Sequence, residues 1–137
     1  MATYDQGKTI TLPAGENLDG DIYETVKINS SGGVIKTTAT TDLAIGVLAE
    51  NPGPTVAGDI VTVAVFGGGG ILKAKAAEAI TAGEIIAPSD TAGRVDGHPG
   101  LSSLVDNRLG LGVATQSAVA GEVFSFVAES IGGSGTL

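Results

Sequence analysis

The amino-acid sequence predicts an all-β protein: a small β-sandwich or barrel built from two pseudo-repeated strand units and preceded by an extended N-terminal arm. Three observations predict it. First, a turn-and-strand phrase recurs at Leu18-Asp19-Gly20-Asp21-Ile22, Val56-Ala57-Gly58-Asp59-Ile60, Thr81-Ala82-Gly83-Glu84-Ile85 and Val119-Ala120-Gly121-Glu122-Val123. Gly20 and Gly58 are as far apart as Gly83 and Gly121. Each interval holds a second phrase, Ile45-Gly46-Val47-Leu48-Ala49 in the first and Leu111-Gly112-Val113-Ala114-Thr115 in the second. Second, Gly is frequent (22 residues), aromatics make up 4% and Trp is absent, so the apolar content comes from Ala, Val, Ile and Leu. Short β-branched strands joined by glycine turns have this composition. Third, no segment sustains a 3.6-residue period.

A chain of 137 residues makes one domain, or at most two small lobes. The reading divides it into an arm at 1–17, a β domain at 18–131 with units at about 18–70 and 81–131, and a flexible tail at 132–137. Within the arm, Thr9, Ile10, Thr11 and Leu12 alternate before Pro13-Ala14-Gly15, as an arm or edge strand does. Residues 22–28 alternate around Val26 and Ile28. Asn29-Ser30-Ser31-Gly32-Gly33 then turns the chain into 34–38, a hairpin. Residues 45–49 form a short strand, and Asn51-Pro52-Gly53-Pro54 a loop, because proline cannot donate to a ladder. Residues 60–66 carry apolar side chains on both faces and read as a strand that is central or covered on one face by a partner. Four glycines follow, then a returning strand at 71–75 that passes into a turn at 75–79. Strands are expected at 84–87, 109–115 and 122–129, the last with Phe124 and Phe126 on one face. Residues 95–103 read as a loop rich in Gly and Pro, and 101–107 could make one helical turn.

The recurring glycines suit positive φ at a tight turn, and the acid that follows can accept a turn hydrogen bond. A cation site at Asp19, Asp21 and Glu24 is the functional alternative. It needs six to eight oxygens held together, and the same acid at four turns points to architecture instead.

Charge and composition weigh against several function classes. With 15 acidic against 7 basic residues, the net charge of −8 repels phosphate, and no basic stripe offsets it, so no direct nucleic-acid partner is expected. Without Cys there are no disulfides or thiolate metal sites. The first six residues lack the basic start and apolar core of a secretory signal, and no apolar run approaches the about 20 residues of a membrane helix. The expectation is a soluble protein made in a cytoplasm, with no membrane partner.

Catalytic motifs fail in detail. Gly67-Gly68-Gly69-Gly70 with Lys73 lacks the Gly-Lys-Ser/Thr of a phosphate loop, and Gly7-Lys8-Thr9 lacks the earlier glycine and a preceding strand. His98, the single histidine, reads as a surface-loop residue. A triad of Ser102, His98 and Asp96 would have to form between loop neighbours. No acid pair stands out for glycoside hydrolysis, and scarce Tyr and absent Trp remove the usual sugar-stacking surface. We expect no enzyme, no cofactor and no metal.

The order of several short motifs resembles the tailed-bacteriophage capsid decoration (cement) proteins, a family once filed as a domain of unknown function and mislabelled RecA/RadA-like recombinase. The motifs are Ala2-Thr3-Tyr4-Asp5-Gln6-Gly7-Lys8-Thr9-Ile10, Gly20-Asp21, Ile45-Gly46-Val47, Lys73-Ala74-Lys75-Ala76, Ile80-Thr81-Ala82-Gly83-Glu84, and Leu111-Gly112-Val113-Ala114 through Ala120-Gly121-Glu122. The resemblance implies a β-rich homotrimer on the outer capsid surface of the virion. It would bridge subunits of the major capsid protein and stabilise the expanded head. Under that reading Tyr4, Ile10, Leu12, Pro52 and Pro54 are candidates for capsid contact, and Val61, Val63 and Val65 for the trimer interface. The simpler roles are pairing of the arm within its own domain or trimer, and core packing for the valines. The alternatives are a capsid-displayed binding module for host-surface glycans or receptors, and a hydrolase using an acid pair.

Overall fold

The computed structural model describes residues 8–50, 57–100 and 109–132. They form two five-stranded antiparallel sheets, and the fold is all-β. The first sheet contains β1 (Thr9–Pro13), β2 (Thr25–Ile28), β3 (Val34–Lys36), β4 (Gly46–Leu48) and β5 (Ile60–Val65). After a 3-10 turn at Phe66–Gly68, the second contains β6 (Ile71–Lys75), β7 (Ile85–Pro88), β8 (Val95–His98), β9 (Leu109–Ala114) and β10 (Val123–Gly132).

The strand orders are β1-β5-β4-β2-β3 and β6-β10-β9-β7-β8. Counted from its own first strand, each half has the same topology. In both halves a parallel bridge links the residue after the first strand to the start of the third, Ala14 to Val34 and Ala76 to Val95. Each sheet therefore curls until its outer strands meet. Backbone bonds repeat as well. The Ala14 N–H donates to Asp59 O (2.6 Å) and the Gly58 N–H to Ala14 O (2.7 Å). Their counterparts run from the Ala76 N–H to Glu122 O (2.9 Å) and from the Gly121 N–H to Ala76 O (2.8 Å).

The glycine phrases sit at matching places in this duplicate. Gly20, Gly58, Gly83 and Gly121 all have positive φ, between 78° and 99°, as tight turns require. In the second half the following acid closes the turn: the Thr81 N–H donates to Glu84 Oε1 (2.7 Å) and the Val119 N–H to Glu122 Oε1 (2.8 Å). Gly46 and Gly112 are also equivalent. Gly46 pairs with Val26 and Val65, and Gly112 with Ile86 and Ala128. A Cβ at Gly46 would fall on the carbonyl oxygen of Ala64, and one at Gly112 on that of Val127.

The core follows the inner faces of both sheets. In the first half it comprises Val26, Val34, Leu48, Val61 and Val63 with Ala14 and Leu18. In the second, Ile86, Val95, Ala114, Phe124 and Phe126 take the matching positions. This second cluster continues across the seam to Val47, Ala64 and Phe66, whose ring lies 6.0 Å from that of Phe126. Phe124 and Phe126 thus share one buried face, as the alternation predicts.

Two elements differ from the sequence expectations, and at a third the structure selects one of two readings. Residues 9–13, read as arm or edge strand, are an edge strand paired along their whole length with β5. Residues 95–98, read as loop, are β8, held in register by β7 from Ile85↔His98 to Pro88↔Val95. A strand containing Asp96, Gly97 and His98 has little intrinsic β preference; the ladder to β7 makes it one. β10 runs to Gly132, where the tail was expected to begin, through a register shift between Ala128 and Ile131.

Candidate interaction surfaces

Sequence reasoning nominated two surfaces, and the structure gives them different characters. Tyr4, Pro52 and Pro54 lie outside the described residues. Ile10 and Leu12 lie on β1, the outer strand of the first sheet, paired with Val63 and Val61. Two nominated capsid contacts, Ile10 and Leu12, are thus cross-strand partners of two nominated trimer contacts. Val61 and Val63 are buried among the chain's own core residues, and Val65 packs beside them. They therefore leave no side-chain surface for a second chain at Val61 and Val63, which take the simpler packing role. Ile10 is 37% exposed and Leu12 half-buried. β1 is thus the outer strand of its sheet, with Ile10 partly exposed and Leu12 packed against the core.

Charged side chains gather at the seam between the halves. Lys75 Nζ lies 3.4 Å from Glu24 Oε2, and Lys36 Nζ lies 3.2 Å from Asp21 Oδ2. The Lys36 N–H donates to Glu16 Oε2 (2.7 Å), and Lys73 stands over the Tyr23 ring. Burial raises the Glu24 pKa, and a hydrogen bond and charge repulsion from Asp21 push the same way against Lys75 and Lys36. Burial works to lower the Lys36 pKa, but Asp21, Glu24 and Glu16 hold it above its usual value. Glu24 thus faces Lys75 across the seam, while Asp21 faces Lys36 within the first half. Among the described residues no group of three His, Cys, Asp or Glu side chains is placed to hold a metal ion.

His98 and Asp96 are drawn together on β8, with Nε2 2.9 Å from Oδ1, both half-buried. The expected surface-loop histidine is thus a strand residue, while Ser102 lies outside the described residues. The glycine run 67–70 connects the two sheets and leads into β6, a strand rather than the helix of a phosphate loop. Asp42 closes a loop in the first half. It accepts bonds from Lys27 Nζ (2.8 Å) and from the N–H groups of Thr38 (2.7 Å) and Ala39 (3.0 Å).

Sequence reasoning missed a surface on the second sheet. Ile71, Val127, Val113 and Ile85 pair across β6, β10, β9 and β7 and so form one row on one face. Val127 is 43% exposed, Ile71 and Val113 are half-buried, and Ile85 is buried. The available signal was that β10, like β5, is apolar on both faces: Val123 and Val127 alternate with Phe124 and Phe126.

No protein-family model matches this chain, and no curated protein matches it. Among solved structures, it is similar to the N base of head fiber gp8.5 in bacteriophage phi29, with a TM-score of 0.53 and 13% sequence identity. The likeness covers 89% of this chain and 93% of that one, so the two share a fold across nearly their whole lengths.

Proposed function

We propose that this protein is a structural component of a tailed-phage head. On this reading it is a decoration protein that binds the outer capsid surface as a homotrimer, bridges major capsid subunits and stabilises the expanded head. The observation that carries the reading is the fold shared, over 89% of the chain, with the base of a phage head fiber. The order of glycine motifs that resembles the decoration family supports it independently. The arrangement of charge is also in keeping with it. Asp21, Glu24 and Asp42 are engaged by lysines and Asp96 by His98 within the chain, as in a cross-braced scaffold. A scaffold of this kind needs no catalytic group. Trimerisation would add up capsid contacts that are weak singly.

The test is to mix the purified protein with expanded heads that lack it. Saturable binding that raises the temperature of head disruption is the expected result; no binding at any ratio would refute the reading. A truncation that probes the arm must stop before Lys8, because residues 9–13 belong to the first sheet. The likeness to a head-fiber base also favours a second reading, a capsid-displayed module that binds host-surface glycans or receptors. Glycan-array binding by a protein that leaves head stability unchanged would select it.

A further inference from the structure

We infer that the outer face of the second sheet, centred on Val127 and Val113, receives the first half of another copy of this chain, head to tail. The inference rests on the self-assembly part of the proposed function and names its interface. It comes from comparing the two halves position by position.

The row Ile71-Val127-Val113-Ile85-His98 crosses the second sheet. The ladder registers match it to Thr9-Ala64-Val47-Thr25 in the first sheet, and the Thr37 N–H bond to Thr25 O (3.1 Å) adds Thr37 opposite His98. At their centre the two rows have opposite fates. Ala64, Val47, Thr25 and Thr37 are all buried, because the second half of the same chain covers them. Their counterparts Val127 and Val113 keep exposed surface, although they are larger or equal in apolar area, whereas Ile85, the counterpart of Thr25, is buried against Ile131 at 8% exposure.

The covering elements show the complementary difference. What packs on the first-half row is β6 together with the loop 89–94 between β7 and β8. Gly93 in that loop is buried; its N–H donates to Thr37 O (2.8 Å) and its carbonyl accepts from the Thr25 N–H (2.9 Å). The equivalents in the first half are β1 and the turn 29–33, where Gly32 matches Gly93 in its place before the third strand and in its positive φ. These equivalents stand open. Gly32, Ser30 and Ser31 are exposed, and so is most of β1, whereas β6 alternates buried with half-buried residues.

Each half therefore has a socket, its outer sheet face, and a plug, its first strand with the β2–β3 or β7–β8 turn. Within one chain the socket of the first half holds the plug of the second. Among the described residues, the socket of the second half and the plug of the first are left over. They are complementary because they derive from the same pair of shapes. Joining them between copies gives a heterologous contact that propagates and closes into a ring when its rotation permits. It covers the apolar row on one copy and β1, including Ile10, on the next.

The chain has no cysteine, which makes the test clean. The full-length protein carrying Ser31→Cys and Val127→Cys together is oxidised and run without reductant; a ladder of covalent dimers and trimers is expected, and each single variant should stop at dimers or below. In parallel, Val127→Asp is expected to weaken self-association by about 100-fold or more, since it places a charge in an apolar contact. Val119→Asp, at an exposed apolar residue outside this face, should leave the solution mass unchanged. Circular dichroism checks that the Asp variants are folded, and if V127D is not, the cross-linking decides. A trimer that keeps its mass in V127D and gives no ladder overturns this interface and leaves the trimer itself standing. A wild-type protein that is monomeric at every concentration overturns both.

Discussion

Replacing Gly46 by Ala tests the close approach that the duplicated phrase Gly46-Val47 and Gly112-Val113 encodes. The new Cβ falls on the carbonyl oxygen of Ala64, with Val63 Cγ1 at 2.8 Å and the Ala64 carbonyl carbon at 3.0 Å. Two of these three atoms are backbone, so no rotamer change relieves the contact. β4 must instead move away from β5, loosening a ladder of three residue pairs from Gly46↔Val65 to Leu48↔Val63. Overpacking of this sort costs about 1–3 kcal/mol, and a weakened ladder bond adds about 1 kcal/mol. The expected loss is therefore about 2–4 kcal/mol, a large share of the roughly 5–15 kcal/mol that holds a domain together. At roughly 3–4 °C per kcal/mol, the midpoint should fall by roughly 6–16 °C. Gly112→Ala should behave alike, since its Cβ meets the carbonyl of Val127. Two controls sit in the same chain. Gly20 has a φ of +78° and open space around it, so Gly20→Ala should cost only the strain of that backbone, about 1–2 kcal/mol. Gly67 has open space and no positive φ, and Gly67→Ala should stay within about 0.5 kcal/mol of the parent. Urea unfolding at one fixed protein concentration measures all four, so that association does not blur the ranking. A Gly46→Ala protein as stable as Gly67→Ala would refute the close-approach argument.

Three further outcomes are expected. Glu24 has a pKa raised above 4.5 by burial and by Asp21, so its contribution to stability is full below that value and is lost as pH rises through the folded value. Urea titrations of Glu24→Gln and the parent should therefore diverge in the variant's favour as pH rises from acid to neutral. Asp42 behaves oppositely: burial opposes its ionisation, but Lys27 and the N–H groups of Thr38 and Ala39 outweigh it and hold the pKa below 3.8. Its stabilisation is present above that value and is lost as pH falls through the folded one, so Asp42→Asn should cost about 1–3 kcal/mol at neutral pH and almost nothing in strong acid. Phe126, fully buried between the rings of Phe66 and Phe124, should cost about 3–5 kcal/mol on truncation to Ala, measured by the same unfolding assay.

Much of the fold was legible because its signals are local. The four turn glycines, the 29–33 turn, the alternation of β2 and the apolar runs of β5 and β10 depend only on neighbours in the chain, and each lies where such neighbours predict. β8 was not legible: Val95–His98 has loop composition, and its strand geometry comes from pairing with β7. The surfaces were less legible still. Val61, Val63 and Val65 alternate as an interface strand would, yet Val61 and Val63 are buried, because β5 lies between β1 and β4 with the first core against its inner face.

The sequence by itself determined that the chain is all-β, duplicated in its turns, acidic and without cysteine. Tertiary structure alone decided that the duplication extends to strand order and register, and that the two copies do not play equal parts. Turn chemistry and side-chain period act over a few residues, so they are written identically in both halves. Which face is covered depends on how one half sits on the other. That asymmetry buries Val47 and Ala64, leaves Val113 and Val127 partly open, and is invisible to any reading confined to neighbours along the chain.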